Sequence, residues 1–200
     1  MTTPINPQPI TLEGKYIRLE PLALVHAEDL FTASQFPEIW EWWLTPPPET
    51  IDAMRAEIEH CIGSATKGDR VWFATIRRQD GQAVGMTSYL DIRRNDRGLE
   101  IGGTWLTPSV WQTPINTECK YLLLRHAFEE LGCVRVQLKT DERNVRSRKA
   151  IERLGAKPEG ILRKYQMLHT GFARNTAIYS IVESEWTEVK KRLEGFLASH

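Results

Sequence analysis

The stretch from Leu99 to Leu138 constrains this chain more than any other. Leu99 to Leu106 (LEIGGTWL) reads as a strand, Asn116 to Leu131 has helical spacing, and Val134 to Leu138 is a short strand-like run. A strand, a helix and a strand in direct succession form a crossover, which lays its two strands parallel. The helix puts Cys119, Leu122, Leu123, Ala127 and Leu131 on one face, with Glu118, Arg125 and Glu129 on the other. Gly132 is placed to end it.

The segments around this unit read as hairpins and covering helices. Lys15 to Pro21 alternates apolar and polar residues and predicts a strand. Ala23 to Phe36 predicts an amphipathic helix. Ile39 to Leu44 follows, and Pro46-Pro47-Pro48 forces an extended or turning backbone. A second helical stretch runs from Glu49 to about Ala65. Arg70 to Arg77 and Ala83 to Ile92 predict two strands joined at Gln79-Asp80-Gly81-Gln82. Asn144 to Leu154 is helical and closed by Gly155. Ile161 to Leu168 and Thr176 to Val182 form a hairpin around Thr170-Gly171, and Glu185 to Leu197 is a last helix. The expected class is α/β (α+β): a mixed, mostly antiparallel sheet with helices on both faces. Residues 1–11, with Pro4, Pro7 and Pro9, read as a loose arm, and residues 12–200 as a single domain.

Lysine plus arginine equal aspartate plus glutamate at 26 each, so no basic excess favours a nucleic-acid partner. Three cysteines, Cys61, Cys119 and Cys133, form no CxxC pair, which disfavours a disulfide framework or a structural metal site. The start lacks a basic and then apolar leader, and no apolar run approaches the ~20 residues of a membrane span. The expected location is therefore cytoplasmic, with no membrane partner and no metal. A homodimer is left open.

Four local features carry chemistry. The loop from Trp111 leads into a helix N-terminus, whose free N–H groups and partial positive charge suit a pyrophosphate. Pro114 in that loop has no N–H to give, and Asn116 or Thr117 is the expected cap. Gly102-Gly103, adjacent within a strand, predict a bulge or a close backbone approach. Asn144 is placed to cap its helix, with Ser147 one turn inside. Arg143, Arg146, Arg148 and Lys149, with Lys120, form a basic cluster that suits phosphates or a solvated face.

These features, in this order, resemble the GNAT superfamily of N-acetyltransferases, and within it the RimJ/RimL-type branch. The opening strand Gly14-Lys15-Tyr16-Ile17-Arg18-Leu19-Glu20-Pro21-Leu22, the strand Glu100 to Leu106, the loop Trp111 to Glu118 and the pair Asn144-Val145-Arg146-Ser147 and Ile151 to Ala156 carry the resemblance. It spans about residues 12 to 186. It implies acetyl-CoA as co-substrate and an amine as acceptor. Backbone around Thr104, Trp105 and Leu106 would pair with the pantetheine arm and polarise the acetyl carbonyl. Gln112, Thr113, Ile115, Asn116 and Thr117 would hold the pyrophosphate, although Pro114 stands where the family has a central glycine. Asn144 would touch pantetheine, Arg146 the phosphates, and Ser147 would protonate the departing thiolate. Glu100 is the favoured base for the amine, with His126 and His169 behind it. Some relatives place a carboxylate just after this strand, where this chain has Thr107-Pro108-Ser109. Trp40, Trp42 and Trp43 would wall the acceptor cleft or pack the core. The resemblance implies a protein N-terminal α-amine as acceptor. A small amine (polyamine, amino sugar or antibiotic) and a non-catalytic acyl-CoA-binding module are the alternatives.

Overall fold

The computed structural model describes residues 3–65, 68 and 70–199. Eight strands among them form one sheet: β1 (Leu12–Glu13), β2 (Ile17–Pro21), β3 (Val71–Arg77), β4 (Ala83–Arg93), β5 (Gly98–Leu106), β6 (Arg135–Asp141), β7 (Lys157–Met167) and β8 (Ala173–Val182). Their spatial order is β1-β2-β3-β4-β5-β6-β8-β7. Every neighbouring pair is antiparallel except β5 and β6, the two strands of the crossover. The crossover helix α4 (Pro114–Arg125) continues into a wider π turn, His126–Glu130.

Both faces of the sheet are covered. On one, α4, α5 (Val145–Leu154) and α6 (Trp186–Ala198) bury Leu122, Leu123, Ile151 and Leu193 against Leu99, Ile101, Val136 and Ile181. On the other, α1 (Ala27–Ala33), the short α2 (Pro37–Trp40) and α3 (Ile51–Ala65) bury Leu30, Ile39, Met54 and Ile58 against Ala74, Met86 and Trp105. The α/β class and the mixed sheet follow the sequence-based expectation.

Several local details differ from it. α1 is shorter than Ala23 to Phe36, because Pro37 holds Phe36 extended at φ −119° and ψ 115°. β7 begins at Lys157 rather than Ile161. It is an edge strand exposed along most of its length, so no apolar alternation marks its first turn of chain. The segment before β1 is anchored rather than loose. Ile5 is fully buried, its N–H donates to the Arg94 carbonyl at 3.1 Å, and Arg94 donates back to the Ile5 carbonyl and to Asn6.

Glu118 departs furthest from its expected place. The helical period assigns it to the outer face of α4, yet it is buried. Its carboxylate accepts the backbone N–H groups of Lys15, Tyr16 and Ile17 at 2.7, 2.7 and 2.8 Å. It thereby ties the β1–β2 turn to the crossover helix.

Candidate active site

The crossover strands part where the site begins. β5 and β6 pair at Gly98–Arg135, Leu99–Val136 and Glu100–Gln137, and no further. Beyond that point β5 stays with β4 as far as Leu106, and β6 stays with β8 as far as Asp141. The two strands therefore make a fork with Glu100 at its vertex. The β4–β5 register slips between Met86 and Ser88, and Gly103 sits at φ +56°, the bulge that the glycine pair predicts. A Cβ on Gly103 would lie 2.7 Å from the Trp72 ring, so only glycine fits. The extra residue changes the facing of the strand. Leu99 and Ile101 point to the α4 core, Thr104 meets α4 through Lys120, and Trp105 packs with Trp40 on the opposite face.

Glu100 lies on that opposite face and is almost completely buried. Its Oε2 is 2.9 Å from Lys139 Nζ and accepts from Gln137 Nε2 at 3.3 Å. Burial would lower the Lys139 pKa, but the hydrogen bond and charge of Glu100 outweigh it and the ammonium is held above its ordinary range. Neither Lys139 nor Gln137 is foreseeable from local sequence, because their meeting with Glu100 depends on the register of the parallel pair.

The loop into α4 is capped by Thr113, not by Asn116 or Thr117. Thr113 Oγ1 accepts from Ile115 N–H and donates to the Val110 carbonyl at 2.7 Å. Pro114 then occupies the first helical position, where an N–H has no intrahelical partner in any case. Gln112 precedes it at φ +61°. Thr117 is buried and accepts from Arg153 of α5 at 2.9 Å, so its hydroxyl serves helix packing. Lys120 is buried too and does not join the surface basic cluster.

Asn144 caps α5: its Oδ1 accepts the Ser147 N–H at 2.9 Å. The Arg146 guanidinium stacks 3.6 Å from the Trp111 ring centroid; burial lowers its pKa while Glu41 and Glu38 act the other way. Arg143 pairs with buried Asp141 at 2.8 Å and lies over the Trp42 and Phe172 rings. Trp42, Trp111, Asn144, Val145, Arg146, Glu38 and Glu41 line a recess of about 320 Å³ between α2 and the start of α5. Trp40 does not reach it. It is buried, donates Nε1–H to the Ser34 carbonyl, and packs against Trp43 and Trp105. Arg174 and His169 of the β7–β8 hairpin hold this segment through the Trp42 and Trp40 carbonyls, His169 by its Nε2. His126 contacts Tyr89 inside the core, and burial lowers its pKa.

The profile of the acetyltransferase (GNAT) domain matches residues 17–157. The chain belongs to the GNAT N-acetyltransferases. A GCN5-related N-acetyltransferase from Brucella melitensis superposes with a TM-score of 0.91 at 30% identity, covering 98% of this chain and 89% of that one. Bacillus subtilis YjcK, named a probable N-acetyltransferase, is 27% identical over 157 residues, 76% of this chain and 87% of its own. Mycobacterium smegmatis RimJ, solved with CoA-disulfide, shares the fold at a TM-score of 0.81 and 19% identity, covering 94% of each chain.

GNAT acetyltransferases use acetyl-CoA and an amine acceptor, and the residues present fit such a donor. The fork leaves one edge of β5 unpaired from Ile101 onward, and the Gly103 cradle brings bare backbone to it. The capped α4 N-terminus opens nearby. Buried Cys61 and Cys133 thiols are pushed up to about 12 by burial, so they are poor nucleophiles. Among the described residues no helix is long and apolar enough to cross a membrane, and no group of three or more His, Cys, Asp or Glu is placed to hold a metal. The structure places Trp42, a candidate acceptor residue, in one recess with Asn144 and Arg146, candidate donor residues. It adds Trp111, Glu38 and Glu41, and the two carboxylates carry only an i, i+3 spacing as a signal. Replacing Asn144 with Ala removes the cap and is expected to cost about 1 kcal/mol in urea unfolding. If Asn144 also touches the donor, acetyl-CoA affinity measured below the unfolding transition falls as well.

Proposed function

We propose that this GNAT enzyme binds acetyl-CoA along the fork and transfers the acetyl group directly to a protein N-terminal α-amine. The observation that carries the donor half is the parting of β5 and β6 at Glu100, beside a glycine bulge. In this reading the backbone of Thr104 to Leu106 receives the pantetheine arm. Gln112 to Asn116 face the phosphates, and Arg146, stacked on Trp111, stands between them and the recess under Trp42. The amine nitrogen attacks the thioester carbonyl, its proton passes toward Glu100, the C–S bond breaks, and the thiolate takes a proton through the Ser147 hydroxyl, which regains one from solvent water. Glu100 Oε2 is engaged by Lys139 and Gln137, and Oε1 is the oxygen left to take the proton.

The acceptor half rests on the recess under Trp42, open at the surface between α2 and α5. An open recess suits a chain end better than a closed chamber does. The shared fold with RimJ, and with a Vibrio cholerae structure described as a ribosomal-protein-serine acetyltransferase at 19% identity and a TM-score of 0.74, points the same way. A second reading has one observation of its own. Glu38 and Glu41 line the recess near Arg146, whose charge both favour, and among the described residues neither side chain makes a direct hydrogen bond or salt bridge. Two such carboxylates favour a small polycationic amine. Release of free CoA, measured with acetyl-CoA against short peptides with free N-termini, polyamines and amino sugars, separates the two. Turnover on peptides, lost when the N-terminus is blocked, is the expected result. Turnover on polyamines alone overturns the peptide assignment, and no turnover on any amine overturns both.

A further inference from the structure

Lys120 on α4 belongs neither to the surface basic cluster nor to the residues assigned above to the donor. It is 7% exposed, and among the described residues its ammonium makes one hydrogen bond, to Thr104 Oγ1 at 2.6 Å. Among the described residues no carboxylate acts on it, and burial drives its pKa down. An ammonium carries three N–H donors, and burying one without a counter-charge is costly. A lysine that served packing alone would be better replaced by an apolar side chain.

Its direction follows from its neighbours. Thr117 on α4 meets Arg153 of α5, while Cys119 meets Thr75 and Thr87 of the sheet. Successive helical residues turn by about 100°, which places Lys120 between those two directions. That flank of α4 overlooks the gap that β5 and β6 leave past Glu100 and Gln137. The contact with Thr104 confirms the reach. Thr104 is the first α4-facing residue after the bulge, on a stretch of β5 with no β6 partner, and its hydroxyl is 2.7 Å from that of Thr87.

We propose that Lys120 is a donor-binding residue: one N–H fixes Thr104, and the others are directed to a carbonyl oxygen of the acyl-pantetheine arm in the fork. The proposal rests on the donor site assigned above and adds a side-chain ligand to it. The chemistry it selects is a neutral amide or thioester carbonyl. Phosphates belong at the exposed α4 N-terminus, not in a site nine-tenths buried. The same buried charge would stabilise negative charge developing on a thioester oxygen.

The test uses the full chain, Lys120→Met and Lys120→Gln. The readouts are the melting temperature of the free protein and the affinities for acetyl-CoA and for adenosine 3′,5′-bisphosphate, the nucleotide end without the arm. Lys120→Met is expected to melt no lower than the parent and to bind acetyl-CoA about 10-fold or more weakly. It should bind the bisphosphate within about 2-fold of the parent. Lys120→Gln, which keeps a neutral donor, should fall between. Acetyl-CoA affinity unchanged in Lys120→Met overturns the proposal. So does a lowered melting temperature with equal loss of both ligands, which marks a structural lysine. If the parent protein itself binds neither ligand, the donor site falls first, and Lys120 with it.

Discussion

Replacing Glu118 with Gln is expected to remove about 3–5 kcal/mol of folding stability, a large share of the ~5–15 kcal/mol that a domain possesses. One buried carboxylate accepts three backbone N–H groups, all within 2.8 Å. Hydrogen bonds to a charged acceptor contribute about 1.5–3 kcal/mol each, and a buried donor left alone costs about 1–3 kcal/mol. Gln offers one carbonyl oxygen to three donors and turns an N–H₂ toward the rest. The measurement is the urea midpoint, with an unchanged m-value to show that only stability moved. A loss under about 1 kcal/mol would mean that the Lys15–Ile17 turn finds other partners. Gly14 supplies an internal control. A Cβ there would lie 2.5 Å from the Glu118 carboxyl carbon, so Gly14→Ala should be costly in the parent. In a Glu118→Ala background the obstruction is gone and most of that cost should vanish. The coupling measured by the double-mutant cycle is then strongly non-additive.

Glu118 also marks where sequence reading reaches its limit. Periodicity sorts helix positions by polarity, and a carboxylate buried to serve another segment's backbone breaks that rule. The elements that were legible have local signals: the crossover from Leu99 to Leu138, the glycine pair at the bulge, the Asn144 cap and the Gly155 stop. The Thr113 cap was legible in principle, since a threonine before a proline at the first helical position is a common start. What stayed hidden depends on long-range register. Lys139 meets Glu100 only because β5 and β6 pair at Glu100–Gln137 before parting. Trp40, Trp42 and Trp43 are alike in sequence, and only the docking of α2 against Trp105 sends Trp40 inward and leaves Trp42 on the recess.

The Glu100–Lys139 pair yields the largest expected effect on turnover. Glu100→Gln should lower kcat by about 100-fold at neutral pH while leaving acetyl-CoA affinity nearly unchanged, the loss typical of a removed general base. Lys139→Met tests the same assignment from the other side. Lys139 Nζ is 2.9 Å from Glu100 Oε2, and removing it leaves the carboxylate buried with Gln137 as its remaining hydrogen-bond partner. Lys139→Met keeps the carboxylate and should therefore retain part of the turnover that Glu100→Gln loses, with acetyl-CoA affinity nearly unchanged in both. A purely structural ion pair predicts something else: both substitutions lower the melting temperature, and their effects on kcat are alike. The two variants differ in charge, since one leaves a buried cation and the other a buried anion. A near-complete loss in Glu100→Gln beside a partial loss in Lys139→Met assigns the proton to Glu100 and makes Lys139 the residue that positions it.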